Sequence, residues 1–178
     1  MAGAGVDQMA GTIKHGVFVL LEMLLRLCVA PRLRSNLLRL FGAKVGKNVR
    51  VYECRFINLE NGFKNLHLAD DVHVGADCLF DLKGPVRIGR GTTLSPRVTI
   101  ISHSDPGSSH GSPIVAQYPC EAHGVTIGDF CWIGTSATIL SGAIIGSGTV
   151  VGAAALVRGD LQANSLYVGV PARRIKSI

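Results

Sequence analysis

Residues 125–157 read VTIGDFCWIGTSATILSGAIIGSGTVVGAAALV, and their period decides the fold. Ile127, Ile133, Ile139, Ile145, Val151 and Val157 stand six residues apart without a slip. Four of them are followed by Gly. Six is not the helical period, and it is compatible with the strand period of two. A fixed repeat of six points to a parallel β-helix. One aliphatic side chain per hexad enters a narrow core and stacks on its counterparts in the coils above and below. The residue after it sits at a corner where a Cβ is often unwelcome. No coil can bury its own apolar row, so stacking supplies the stability.

The pattern continues upstream. Val45, Val51 and Ile57 hold the spacing, as do Leu68, Val74, Phe80 and Val86. After a two-residue shift, Ile88, Leu94 and Ile100 resume it. The expected architecture is an all-β main body over residues 45–165, a helical N-terminal segment over 1–44 and a basic C-terminal tail over 166–178. Composition agrees: 47% of the 178 residues are hydrophobic and 17% charged, so there is ample apolar surface to bury and disorder is excluded as the main theme. The 22 glycines show no period of three, which excludes collagen. Five cysteines with no C-x-x-C pair read as free thiols rather than a disulfide framework or zinc ribbon.

The hexads stop after Ile100 and resume at Val125. Between them runs SHSDPGSSHGSPIVAQYPCEAHG, residues 102–124, with His103, His110 and His123. A long excursion from a tightly repeating rod costs ordering entropy, and such loops are often functional.

Four stretches carry a family resemblance: LRLFGAKVGKN (38–48), DLKGPVRIG (81–89), CWIG (131–134) and GVPARRI (169–175). With the repeats they resemble the hexapeptide-repeat acyltransferases, most of all the sugar O-acetyltransferases of the maltose, galactoside and colanic-acid type. The resemblance covers about residues 35–178. It implies a left-handed β-helix with three hexads per triangular coil, and a homotrimer with its sites between neighbours. It also implies acetyl transfer from acetyl-CoA to a saccharide hydroxyl, with no metal. His103 matches the family's general base. Imidazole suits that task, being both neutral and basic near neutral pH. The attacking hydroxyl needs no enzyme nucleophile, in keeping with the absence of a G-x-S-x-G elbow.

Asp81 follows a hexad position where the family carries Asp or Asn, and is expected to orient the acceptor hydroxyl or to cap a turn. Asp105 is expected to orient His103 or the acceptor, or to serve a local Asp105-Pro106-Gly107 turn. Gly134, Thr135 and Ala153 match the contacts of the pantetheine arm. The family's Thr-Lys near the end of the repeats is missing, and Arg158 stands as its substitute. Arg173, Arg174 and Lys176 suit the phosphates of the donor. No P-loop, Rossmann fingerprint or nucleic-acid-binding motif is present.

Three other readings stand beside this one: N-acetylation of an amino sugar, a non-catalytic β-helix scaffold, and a carbonic-anhydrase-like zinc site. The last needs three converging His, and the spacing of His103, His110 and His123 does not match that family.

Charge is confined to one end. Residues 1–50 hold eight Lys/Arg against Asp7 and Glu22, while residues 51–178 hold ten of each sign. Residues 1–12 are small and featureless and read as a loose arm. Residues 14–41 read as two helices broken at Pro31. Val17, Phe18, Leu21, Leu24, Leu25 and Cys28 form an apolar stripe. The run is too short and too charged to span a bilayer. It suits either a helix lying on a membrane surface or one packed on protein. The expected location is cytoplasmic, with contact at the inner face of the membrane through residues 14–41.

Overall fold

A computed structural model describes the backbone of residues 2–178 and the side chains of residues 12–178. Helix α1 (Ala2–Arg26) leads to α2 (Pro31–Leu40), and short strands follow to the C-terminus. Instead of a loose arm, the chain is helical from Ala2. No proline interrupts it before Pro31, so the packed second half can propagate a helix backwards.

The strands form three parallel sheets, one for each face of a triangular left-handed β-helix. The first face stacks Lys44–Val45, Leu66–Leu68, Val86–Ile88, Val125–Ile127 and Ile144–Ile145. The second stacks Arg50–Val51, His73–Val74, Thr93–Leu94, Trp132–Ile133, Val150–Val151 and Ser165–Val168. The third stacks Cys54–Ile57, Cys78–Asp81, Thr99–Ile100, Thr138–Ile139 and Leu156–Val157. Register brings the hexad residues into columns. Val45, Leu68, Ile88, Ile127 and Ile145 form one. Val51, Val74, Leu94, Ile133 and Val151 form another. All ten are buried.

The third column corrects the sequence reading. Its members are Phe56, Phe80, Ile100, Ile139 and Val157, so Phe56 and not Ile57 points inward. Phe56 stacks on Phe80 with ring centroids 5.4 Å apart. Ile57 instead pairs with Asp81, outside the column. The shift at Ile88 is a longer corner, residues 82–85, after which Val86 and Ile88 are both buried.

The open N-terminal end of the solenoid is covered by α2. Leu38 is fully buried there, and Arg34 donates to Leu25 O, Cys28 O and Val51 O. One side of α1 packs on the body through Phe18 against Phe63, Leu25, and Glu22, which accepts from Phe56 N–H. The other side, with Ile13, Val17, Leu20, Leu24 and Leu27, is exposed. No helix among the described residues is long and apolar enough to cross a membrane.

The basic C-terminal tail is itself ordered. Residues 165–177 form a hairpin in which Ser165–Val168 pairs antiparallel with Arg173–Ser177 and extends the second face. All five cysteines are free thiols, and Cys54, Cys78 and Cys131 are buried.

Candidate active site at the third corner

The corner between the third and first faces carries a column of polar residues over three successive coils. Asn58 comes from the first, Asp81 from the second, Ser102 and His103 from the third. Asp81 has no exposed surface. One carboxylate oxygen accepts from Asn58 Nδ2 at 2.8 Å and Lys83 N–H at 3.1 Å. The other accepts from Ser102 N–H at 2.8 Å, Ser102 Oγ at 3.1 Å, His103 N–H at 3.1 Å and His103 Nδ1 at 2.5 Å. Burial pushes this carboxyl up, but the hydrogen bonds from His103, Asn58, Lys83 and Ser102 outweigh it and hold it below the ordinary range.

An ionised carboxylate can only accept, so Nδ1 carries a proton, and in the neutral ring Nε2 is the nitrogen with the lone pair. Nε2 has no hydrogen-bond partner among the described residues, and the side chain is 22% exposed. The result is an imidazole fixed in one tautomer with a basic nitrogen toward solvent. It can take a proton from a hydroxyl or amine placed against it.

The surrounding hydrogen bonds hold the loop's two ends together. Gly84 N–H donates to Ser102 Oγ, while Gly124 N–H and Ser141 Oγ donate to Ser102 O. Ser104 and Glu121 form a two-residue antiparallel bridge. The excursion is therefore pinched at its base, next to Asp81.

In each case the structure favours the turn alternative. Asp81 is fully buried and caps the turn at Lys83 N–H, while its other oxygen holds His103. Asp105 serves the local turn: its carboxylate accepts from Ser108 N–H at 2.6 Å, Ser108 Oγ at 2.8 Å and Gly107 N–H at 2.9 Å, leading into the Ser108–His110 turn. Ser108 above all lowers its pKa to about 2. The three loop His do not converge. His103 is held by Asp81, and His123 Nε2 meets Glu121 at 2.8 Å. Among the described residues no group of three His, Cys, Asp or Glu is placed to hold a metal.

Sequence reasoning missed Asn58 and Ser102. Both lie about one coil from Asp81, a signal readable only once the coil length at this corner is known.

A groove of about 330 Å³ lies along the second face and its corner with the third. Gly134, Thr135 and Ala153 line it, together with Trp132, Ser95 and Leu166. Trp132 is exposed and its indole N–H donates to Ser95 Oγ at 3.0 Å. Gly134 owes its small size to the next coil. A Cβ there would stand 2.6 Å from Ala153 N. Beyond Leu166 the outward row continues in register to Lys176. Arg174 sits on the same terminal strand, tied to Ser165 Oγ and Ser177 Oγ, and Arg173 is exposed. Arg158 is also exposed, in the bend after the Leu156–Val157 strand.

The pattern of the bacterial transferase hexapeptide (six repeats) matches residues 124–159. Two Escherichia coli K12 proteins are similar over longer stretches. WcaF, provisionally named a colanic acid biosynthesis acetyltransferase, is 36% identical over 145 residues, 81% of this chain and 74% of that protein. WbbJ, provisionally named a lipopolysaccharide biosynthesis O-acetyl transferase, is 35% identical over 118 residues, 63% of this chain. That match spans 57% of WbbJ, under two thirds of its length. Among solved structures, the hexapeptide-repeat acetyltransferase VCA0836 of Vibrio cholerae superposes with a TM-score of 0.79 at 20% identity, covering 94% of this chain and 92% of that one. VCA0836 has also been solved with acetyl coenzyme A. At that identity the likeness carries the fold.

Proposed function

The chain belongs to the hexapeptide-repeat acetyltransferases, and from that premise we propose that it moves an acetyl group from acetyl-CoA to a hydroxyl of a saccharide, a cell-surface polysaccharide or its precursor. The observation that carries this reading is His103, with Nδ1–H held by buried Asp81 and Nε2 left free. The acceptor oxygen attacks the thioester carbonyl while Nε2 takes its proton. The tetrahedral intermediate collapses, the C–S bond breaks, and the CoA thiolate leaves and is protonated as the ester forms.

The groove beside Trp132 is the donor site in this reading, with Gly134, Thr135 and Ala153 against the pantetheine arm. Arg158, Arg173, Arg174 and Lys176 serve the phosphates. Within one chain this groove and His103 lie at opposite edges of the third face. A complete site thus needs His103 from one copy and the groove of another, which favours a homotrimer. The names of WcaF and WbbJ favour a hydroxyl acceptor over an amine.

The test is acetyl-CoA-dependent thiol release against a panel of sugars and sugar nucleotides. Loss of about 10²–10⁴-fold in His103→Ala, the usual contribution of a general base, is the expected outcome. Turnover unchanged by the substitution overturns the assignment. Coenzyme A that does not bind at all favours the scaffold reading.

The exposed side of α1 supports peripheral attachment to the anionic inner leaflet. Ile13, Val17, Leu20, Leu24 and Leu27 face outward, and the surplus positive charge lies in the same 50 residues. Flotation of the full chain with phosphatidylserine vesicles should fall, in Leu20→Glu/Leu24→Glu, to the background level seen with neutral vesicles. Equal flotation of both proteins overturns it.

A further inference from the structure

A second, open groove is not used by the chemistry above. It covers about 770 Å³ on the outer side of the first face. Register sets Lys44, His67 and Arg87 directly beside one another on three neighbouring strands. At the usual strand spacing the row spans about 10 Å from Lys44 to Arg87. Arg39 closes the N-terminal end, its guanidinium bound to Val45 O, Gly46 O and Asn36 Oδ1. Among the described residues, Lys44 and Arg87 make no ion pair or side-chain hydrogen bond. Asp129 lines the far wall, but its carboxylate is engaged by Arg90 N–H at 2.7 Å. His67 Nε2 lies 3.1 Å from Lys64 O, and burial and then Lys44 lower its pKa. The row therefore brings together two cationic side chains with which no carboxylate among the described residues pairs. It also sits on the strand that leaves the corner holding Asp81 and His103, since Arg87 follows that corner directly.

We propose that this groove is an anion site for a phosphate or diphosphate ester of the acceptor, held between Arg87 and Lys44. Assignment to the acceptor rests on the acetyl-transfer reading, whereas anion binding does not. A diphosphate suits the span better than a single phosphate, because the two cationic groups stand about 10 Å apart. Guanidinium recognises phosphate by paired N–H bonds, and the ammonium adds a point charge. A diphosphate-linked sugar held here would have its phosphate on the first face while the sugar reaches the corner at His103.

Calorimetric titration of the full chain with inorganic pyrophosphate, without acetyl-CoA, tests the site separately from turnover. Arg87→Gln and Lys44→Gln should each weaken binding about tenfold. Arg50→Gln, an equal charge loss on the second face, should change it under twofold. No pyrophosphate binding, or equal weakening by Arg50→Gln, overturns the proposal, the latter by reducing it to attraction to net charge. Repeating the titration with a nucleoside diphosphate sugar and with vesicles carrying a polyprenyl diphosphate identifies the source. The arm in which Arg87→Gln has its effect names the ligand, and an effect in neither arm overturns the link to the acceptor. Thiol release then reports separately. Unchanged KM for a diphosphate sugar in an Arg87→Gln protein that turns over normally also overturns that link, and leaves the acetyl-transfer reading standing.

Discussion

The coils of residues 125–157 and the excursion of residues 102–124 are neighbours in the chain and opposites in construction. In the coils, every sixth side chain disappears into a column and the corners are filled by the coil below. Nothing there can move or be exchanged cheaply, because packing density is already that of a crystal. In the excursion almost every side chain from Ser104 to Ala122 is exposed or half-buried, and order comes from a few hydrogen bonds at the base and an Asp105-capped turn. His103, the base of the proposed reaction, sits where the two regions meet. Repetition supplies rigidity, and the interruption presents a group on it. A side chain on a rigid corner keeps its geometry without a stiff loop.

Exchanging the roles of the two regions is the sharpest way to break this comparison. His103→Ala should cost roughly 10²–10⁴-fold in turnover and leave the urea midpoint nearly unchanged. Ile133→Ala, at a fully buried column position, should do the reverse. It should lose about 2–5 kcal/mol of stability by urea denaturation, with activity per folded molecule retained. Ile114→Ala in the loop, half exposed, should cost under about 0.5 kcal/mol. Similar stability losses at Ile133 and Ile114 would dissolve the distinction.

A smaller contrast lies between two glycines. Gly134→Ala places a methyl 2.6 Å from Ala153 N in the next coil, and its backbone is not left-handed. The expected cost is about 1–3 kcal/mol from overpacking alone. Gly111→Ala meets nothing within 4 Å but has φ near +69°, so about 1 kcal/mol of backbone strain is expected. Thermal unfolding of both variants checks the order.

The smallest effect is titration at the corner. The Asp81 carboxyl is held below its ordinary value of 3.8. Its contribution to stability is therefore present above about pH 4 and is lost as pH falls through the lower, folded value. Urea midpoints measured from pH 6 to pH 3 should fall more for the wild type than for Asp81→Asn. Parallel curves would remove Asp81 from the balance.

Much of this was legible from residues alone. A six-residue period is a direct consequence of stacking, so the columns from Val125 to Val157 could be read off, and the break after Ile100 could be read as a break. His103 stood out as the first histidine after it. The misplaced Ile57 shows the limit. A corner shortened by one residue shifts phase, and only the partner coil, with Phe80 beneath Phe56, reveals which residue turns inward.

Sequence by itself determined the fold, the place of the excursion and the residue types available for chemistry, because these depend on local spacing. Tertiary structure alone decided who meets whom. Asp81 and His103 are 22 residues apart, Asn58 and Asp81 are 23 apart, and those separations match one coil only because each coil carries its own insertions. The same holds for Lys44, His67 and Arg87, scattered in the chain and adjacent in the sheet. Parallel stacking turns such irregular separations into contact, and a one-dimensional pattern does not contain that register.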